Sequence, residues 1–151
     1  EVEIGGFVPG FKLNPPESEL ARLADEQSKF INALVGRFPK VKVEEPVVEK
    51  VGDGLWRISV RVVNEGAMAT MTAIGAKARR ETPTIITIDV PVEKIVAGEK
   101  INRTQILAGN GGKAEAQWLI PGEPGSTVNI QVRPTIGPKI SVPVKLEEAP
   151  R

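Results

Sequence analysis

Residues 54–66 read GLWRISVRVVNEG, and the order of side chains in this stretch decides the fold class. Trp56, Ile58, Val60 and Val62 alternate with Arg57, Ser59 and Arg61. Successive side chains on a strand point to opposite faces, so the stretch has one apolar face and one basic, solvated face. Gly52, Asp53 and Gly54 punctuate it before, and Asn64, Glu65 and Gly66 punctuate it after. The pattern is that of a half-buried strand in an antiparallel sheet. It is a fold signal and carries no catalytic chemistry.

The same period of two recurs in both directions along the chain. Upstream, Val41 and Val43 open a strand that runs irregularly past Pro46 to Val51, and a proline there marks an edge or a bulge. Downstream, Ile86, Ile88 and Val90 alternate with Ile85, Thr87 and Asp89, and a further strand is expected over Ile101 to Leu107. Ala114, Ala116, Trp118 and Ile120 share one face, as do Val128, Ile130 and Val132, and then Ile140, Val142, Val144 and Leu146. Asn110-Gly111-Gly112 and the run PGEPG are turn signals between these segments. Residues 67–82 are ambiguous: the alanines favour a helix, while Met71, Ala73 and Gly75 could line a short strand, and the segment is expected to be a crossing segment or weak strand. About seven strands at roughly ten-residue spacing predict a mainly β fold, a two-sheet antiparallel sandwich of the immunoglobulin-like or adhesion type. Trp56 and Trp118 both fall on apolar faces, which places them in the core and not on an exposed ligand platform.

Ahead of the strands the period is that of a helix. Asn14 is positioned to cap it, Pro15 or Pro16 suits its first turn, and Glu17 stands where a capping glutamate would. Leu20, Leu23, Gln27, Phe30, Ile31, Leu34 and Phe38 then recur at spacings of three and four, opposite Glu19, Arg22, Glu26 and Lys29. Pro39 forbids continuation. The stripe is expected to pack on the domain or on whatever precedes it. Residues 1–16 carry Phe7 and Phe11 among glycines and prolines, so this segment too is expected to lie against something, its own domain or a neighbour. The predicted organisation is a junction segment with an amphipathic helix over residues 1–39 and the sandwich over 40–151.

Composition narrows function by exclusion. The chain has 20 basic and 19 acidic residues among 151, a balance that argues against general affinity for nucleic acid or an anionic membrane. It contains no cysteine, which excludes disulfides, and no histidine, so neither a histidine zinc ligand, nor a Ser-His dyad, nor an imidazole acid–base can be built. No apolar run approaches the length of a membrane span. The carboxylate pairs Glu1/Glu3, Glu44/Glu45 and Glu147/Glu148 are adjacent or on opposite strand faces, and none is spaced as a glycosidase pair. Asp53, Asp89 and Asn110 are too scattered for a calcium loop. The glycines around Asn110 follow a strand without a helix after them, which is a turn and not a phosphate loop. Arg57, Arg61, Arg79 and Arg80 lack interleaved aromatics and read as an ordinary charged face. The expectation is that the chain has no catalytic and no metal-ligating residues.

Four segments in order, EVEIGGFVPGFKLNPP, LVGRFPKV, GDGLWRISVRVVNEG and GGKAEAQWLIPGEPGSTVNIQV, resemble the region that follows the catalytic domain in some bacterial zinc carboxypeptidases of the carboxypeptidase A type. The strand ending in Asn64-Glu65-Gly66 is also similar to adhesion-type sandwich modules appended to secreted bacterial enzymes. The resemblance implies a non-catalytic C-terminal domain that packs against or orients its own catalytic domain, or mediates a protein or cell-surface contact. EVEIGG would then be the junction with that domain, and Phe7, Phe11 and Phe30 the candidate interdomain contacts. The family's zinc ligands, a His-x-x-Glu motif and a later histidine, have no counterpart here, so the resemblance puts zinc only in the catalytic domain and no cofactor in this chain. It implies a periplasmic or extracellular location. The rival expectation is a carbohydrate- or cell-surface-binding module, which requires aromatics exposed in a groove.

Overall fold

The computed structural model describes residues 5–6, 13–78 and 82–147. In chain order these form α1 (Glu17–Gly36), β1 (Val41–Val43), β2 (Val47–Gly52), β3 (Leu55–Asn64), α2 (Ala73–Ala78), β4 (Ile85–Ile88), β5 (Ile101–Arg103), β6 (Gly112–Pro121), β7 (Thr127–Arg133) and β8 (Ile140–Lys145). A short 3-10 turn covers Val92–Lys94. The chain divides into two compact units, Glu1–Arg37 and Phe38–Arg151.

The second unit is a β-sandwich of two antiparallel sheets. In the first, β3 is central: β1 and β2 pair with one of its edges and β6 with the other. The second sheet runs β5-β4-β7-β8. Alternation along β3 sorts its side chains as expected, with Trp56, Ile58, Val60 and Val62 buried and Arg57, Ser59 and Arg61 on the outer side. On the inner face Trp56 stands opposite Ile120, and Ile58 opposite Trp118. Ile86, Ile88, Ile130 and Val132 of the second sheet complete the same hydrophobic cluster. Two facing apolar surfaces of this kind exclude water from both sheets at once, and each fully buried isoleucine is worth roughly 1.5–3 kcal/mol.

Pro46 acts as its position predicts. Glu44, Glu45 and Pro46 separate β1 from β2, because proline cannot donate to the β3 ladder and the edge strand breaks there. Four local readings differ from the sequence-based ones. Asn14 does not cap α1: the cap is Pro16, which has no side-chain bond to offer and provides only its carbonyl to the Glu19 N–H at 2.9 Å. The strand expected over Ile101 to Leu107 stops at Arg103, since the Leu107 N–H turns to the Thr70 hydroxyl at 3.0 Å. Within 67–82 the alanine-rich segment forms the short helix α2. The polar residue at the end of β3, Asn64, is fully buried and not a surface turn residue.

In the first unit α1 carries the predicted stripe, yet no residue of the helix is buried. Leu20, Phe30, Ile31 and Val35 are exposed at 49%, 60%, 50% and 52%. On the polar face Arg22 bonds Glu19 and Glu26, and Lys29 bonds Asp25. Such pairs one turn apart support a solvated helix by a few tenths of a kcal/mol each.

Candidate functional site

The break between β1 and β2 leaves a shallow cleft of about 270 Å³ on the outer face of the first sheet. Strand alternation places Ser59 and Arg61 of β3 beside Glu115 and Gln117 of β6, and the chain leaving β1 adds Glu44. Arg61 Nε donates to Glu115 at 2.8 Å and its Nη1 to Glu44 at 3.1 Å. Gln117 donates to the Ser59 hydroxyl at 3.0 Å. The hydrogen bond from Arg61, and then its charge, holds the Glu115 carboxyl below the usual range; the two carboxylates raise the Arg61 guanidinium in turn. A carboxylate so stabilised stays ionised near neutrality and is poorly suited to proton donation. The group makes an ion-paired surface rather than an acid–base pair.

A wider hollow of about 560 Å³ lies between the Glu44–Pro46 link and β8, walled by Val48, Val142 and Pro143. Lys145 pairs with Glu147 at its rim. Glu44, which is held by Arg61, and Glu45 also line it.

The other residues singled out by the sequence fall as follows. Trp56 and Trp118 are 2% and 1% exposed, with their indole N–H groups donating to the Gly122 and Glu99 carbonyls at 3.0 and 2.6 Å. Neither can be the exposed platform that sugar stacking needs. Arg57 is paired with Glu49, so it and Arg61 form a neutralised face and not a basic patch. Arg79 and Arg80 lie outside the described residues, as do Phe7 and Phe11. Phe30 is exposed on α1. Asn110, at φ 58°, and Gly111, at φ 101°, make the tight turn into β6. Among the described residues no three acidic side chains gather as a metal site.

The sandwich matches the model of a family described as a domain of unknown function, DUF8731, over residues 40–145. The chain belongs to the DUF8731 family. The DUF8731 match runs from the residue before β1 to the last residue of β8, so it is coextensive with the two sheets and omits α1. No curated protein matches the chain.

The sequence did not flag the Arg61–Glu115 pair. The partners are separated by 54 positions, and only the β3–β6 register brings them together. Their common outward parity on neighbouring strands was the one available signal.

Proposed function

We propose that the chain is a non-catalytic sandwich module that docks through α1 onto a neighbouring catalytic domain, that of a carboxypeptidase A-like zinc peptidase. The observation that carries this reading is the apolar stripe of α1, with Leu20, Phe30, Ile31 and Val35 exposed and no residue of the helix buried. Leu20, Phe30, Leu34, Ile31 and Val35 together cover a broader arc than the two-position seam of a helix pair. A broad arc suits the surface of a folded domain, and burying it would remove several large side chains from water at roughly 25 cal/mol per Å². The zinc carboxypeptidase as partner rests on the sequence resemblance alone. With no histidine in the chain, the ligand set of such a peptidase cannot be built here, so the zinc and the reaction belong to the partner domain. A periplasmic or extracellular location is part of the same proposal.

The test is calorimetric titration of the chain against the catalytic domain of a carboxypeptidase A-like peptidase from the same source, with peptidase assays of each alone. Binding that is lost in Phe30→Asp, with no hydrolysis by the chain itself, supports the reading. Equal binding by Phe30→Asp, no binding at all, or peptide hydrolysis by the isolated chain overturns it.

A further inference from the structure

The outward cations of the two sheets are not all paired alike. Arg57, Arg61 and Lys42 on the first and Lys145 on the second each have a carboxylate within salt-bridge distance. On the second, Ile85 of β4 stands directly opposite Arg103 of β5 on one side and Arg133 of β7 on the other. The β7–β8 register ends at Val132 opposite Ile140, and the next residue on each side, Arg133 at the end of β7 and Lys139 just before β8, lines one hollow. The result is one row, Arg103, Ile85 and Arg133 on three neighbouring strands and Lys139 just before the fourth. All three cations are exposed, and none has an acidic partner among the described residues. This hollow of about 280 Å³ runs along the row, with Thr87 and Gln131 in its floor and, among the described residues, no acidic or aromatic side chain in its lining.

Like charges opposed on adjacent strands cost stability, so the row is unfavourable as it stands and an anionic occupant would relieve it. We propose that this row is a docking surface for an extended acidic peptide of a partner protein, with two carboxylates four residues apart and an apolar side chain midway. Strands are spaced about 4.8 Å apart, which puts Ile85 about 5 Å, Arg133 about 10 Å and Lys139 about 14 Å from Arg103. Alternate residues of an extended peptide repeat at about 6.7 Å. A first carboxylate on Arg103 therefore sets the next same-side residue close to Ile85 and the one after it between Arg133 and Lys139. Arginine grips a carboxylate through two parallel N–H groups, and Thr87 and Gln131 can bond the peptide backbone. The absence of aromatics from the lining disfavours nucleic-acid bases and sugar rings, both of which gain from stacking. Every residue involved lies in the second unit.

The probe is a fluorescein-labelled peptide, Gly-Glu-Ser-Val-Ser-Glu-Gly, followed by anisotropy with the intact chain. Binding should weaken as salt rises and fall roughly tenfold in Arg103→Glu and in Lys139→Glu, about one charge-assisted contact each. Lys139→Glu sets an acid beside Arg133, so its melting temperature should hold or rise while binding falls, which separates a lost contact from unfolding. Equal binding of the peptide with both glutamates changed to glutamine overturns the proposal, as does indifference to either variant. Failure of the peptide to bind, or its displacement by heparin or oligo-dT at a hundredth of its concentration, also overturns it, the latter because the row would then serve polyanions in general.

Discussion

The backbone N–H of Lys40 donates to the side-chain oxygen of Asn64 at 3.0 Å, joining residues 24 positions apart at one end of the sandwich. The same oxygen accepts from the Gly66 N–H at 3.1 Å, while the amide nitrogen donates to the Met68 and Ala108 carbonyls at 2.8 and 3.1 Å. One buried amide thus satisfies backbone groups from the entry to β1, the turn after β3 and the approach to β6. Asn64→Leu keeps the volume and removes these bonds, together with a longer one to the Leu107 carbonyl at 3.4 Å, stranding buried N–H and C=O groups. The expected loss is roughly 2–4 kcal/mol in urea unfolding. Asn64→Asp retains the acceptor but turns a second oxygen toward two carbonyls, and burial raises the introduced carboxyl. A raised acid is best tolerated while protonated, so the Asn64→Asp deficit should grow as pH rises from 4 to 7. A deficit that is flat across that range would show that the site is wet.

Trp118 gives a second test of how burial and hydrogen bonding divide the work. Its ring is 1% exposed against Ile58, and its N–H donates to the Glu99 carbonyl at 2.6 Å, outside the strand ladders. Trp118→Phe keeps most of the packing and leaves that carbonyl without its donor, at a cost of roughly 1–2 kcal/mol. Trp118→Ala also opens a cavity and should cost roughly 3–5 kcal/mol. Both are read from denaturant midpoints; equal losses would mean that the hydrogen bond dominates the packing.

The class of the fold was legible because inward and outward residues alternate cleanly along β3, β6, β7 and β8, and a half-buried sheet leaves no other arrangement for Trp56, Ile58, Val60 and Val62. The loops were not legible in the same way. Asn64 looks like turn punctuation in the sequence, and only the approach of three segments makes it interior. That approach depends on Gly66 and Gly109, where an added Cβ would run into the Phe38 and Ala67 carbonyl oxygens. A glycine signals that space is needed without saying which neighbour will need it. The outer faces fared likewise. Arg61 and Arg133 have the same outward parity, yet one sits between two glutamates and the other beside a lysine, because register assigns partners and single strands do not record it.

Thr84 is 1% exposed and its hydroxyl has no hydrogen-bond partner among the described residues. It is held inside because the backbone of Thr84 accepts from the Thr104 N–H at 2.9 Å at the end of the second sheet. A buried hydroxyl without a partner carries its desolvation cost unrelieved. Thr84→Val has nearly the same shape and removes the polar atom, so it should stabilise the chain by about 1 kcal/mol. Thermal and urea unfolding check this; a destabilised variant would mean that the hydroxyl bonds water in solution.

Glu115 and Arg61 set the direction of one pH effect. Glu115 is held below its ordinary value of 4.5 first by the hydrogen bond from Arg61 and then by that charge. A folded-state value below the unfolded one means that the pair stabilises fully above the ordinary carboxylate range and is lost as pH falls through the lowered value. Both side chains are about half exposed, so the contribution is small and screened by salt. Glu115→Gln should therefore differ from the wild type most at neutral pH and low salt, and the two should converge as pH drops well below 4.5. A carbon-detected NMR titration of the Glu115 carboxyl reads the same pair directly. A midpoint at or above the ordinary value would show that Arg61 does not hold Glu115 in solution, and the outer cleft would then present a free Glu115 carboxylate beside the Arg61–Glu44 pair.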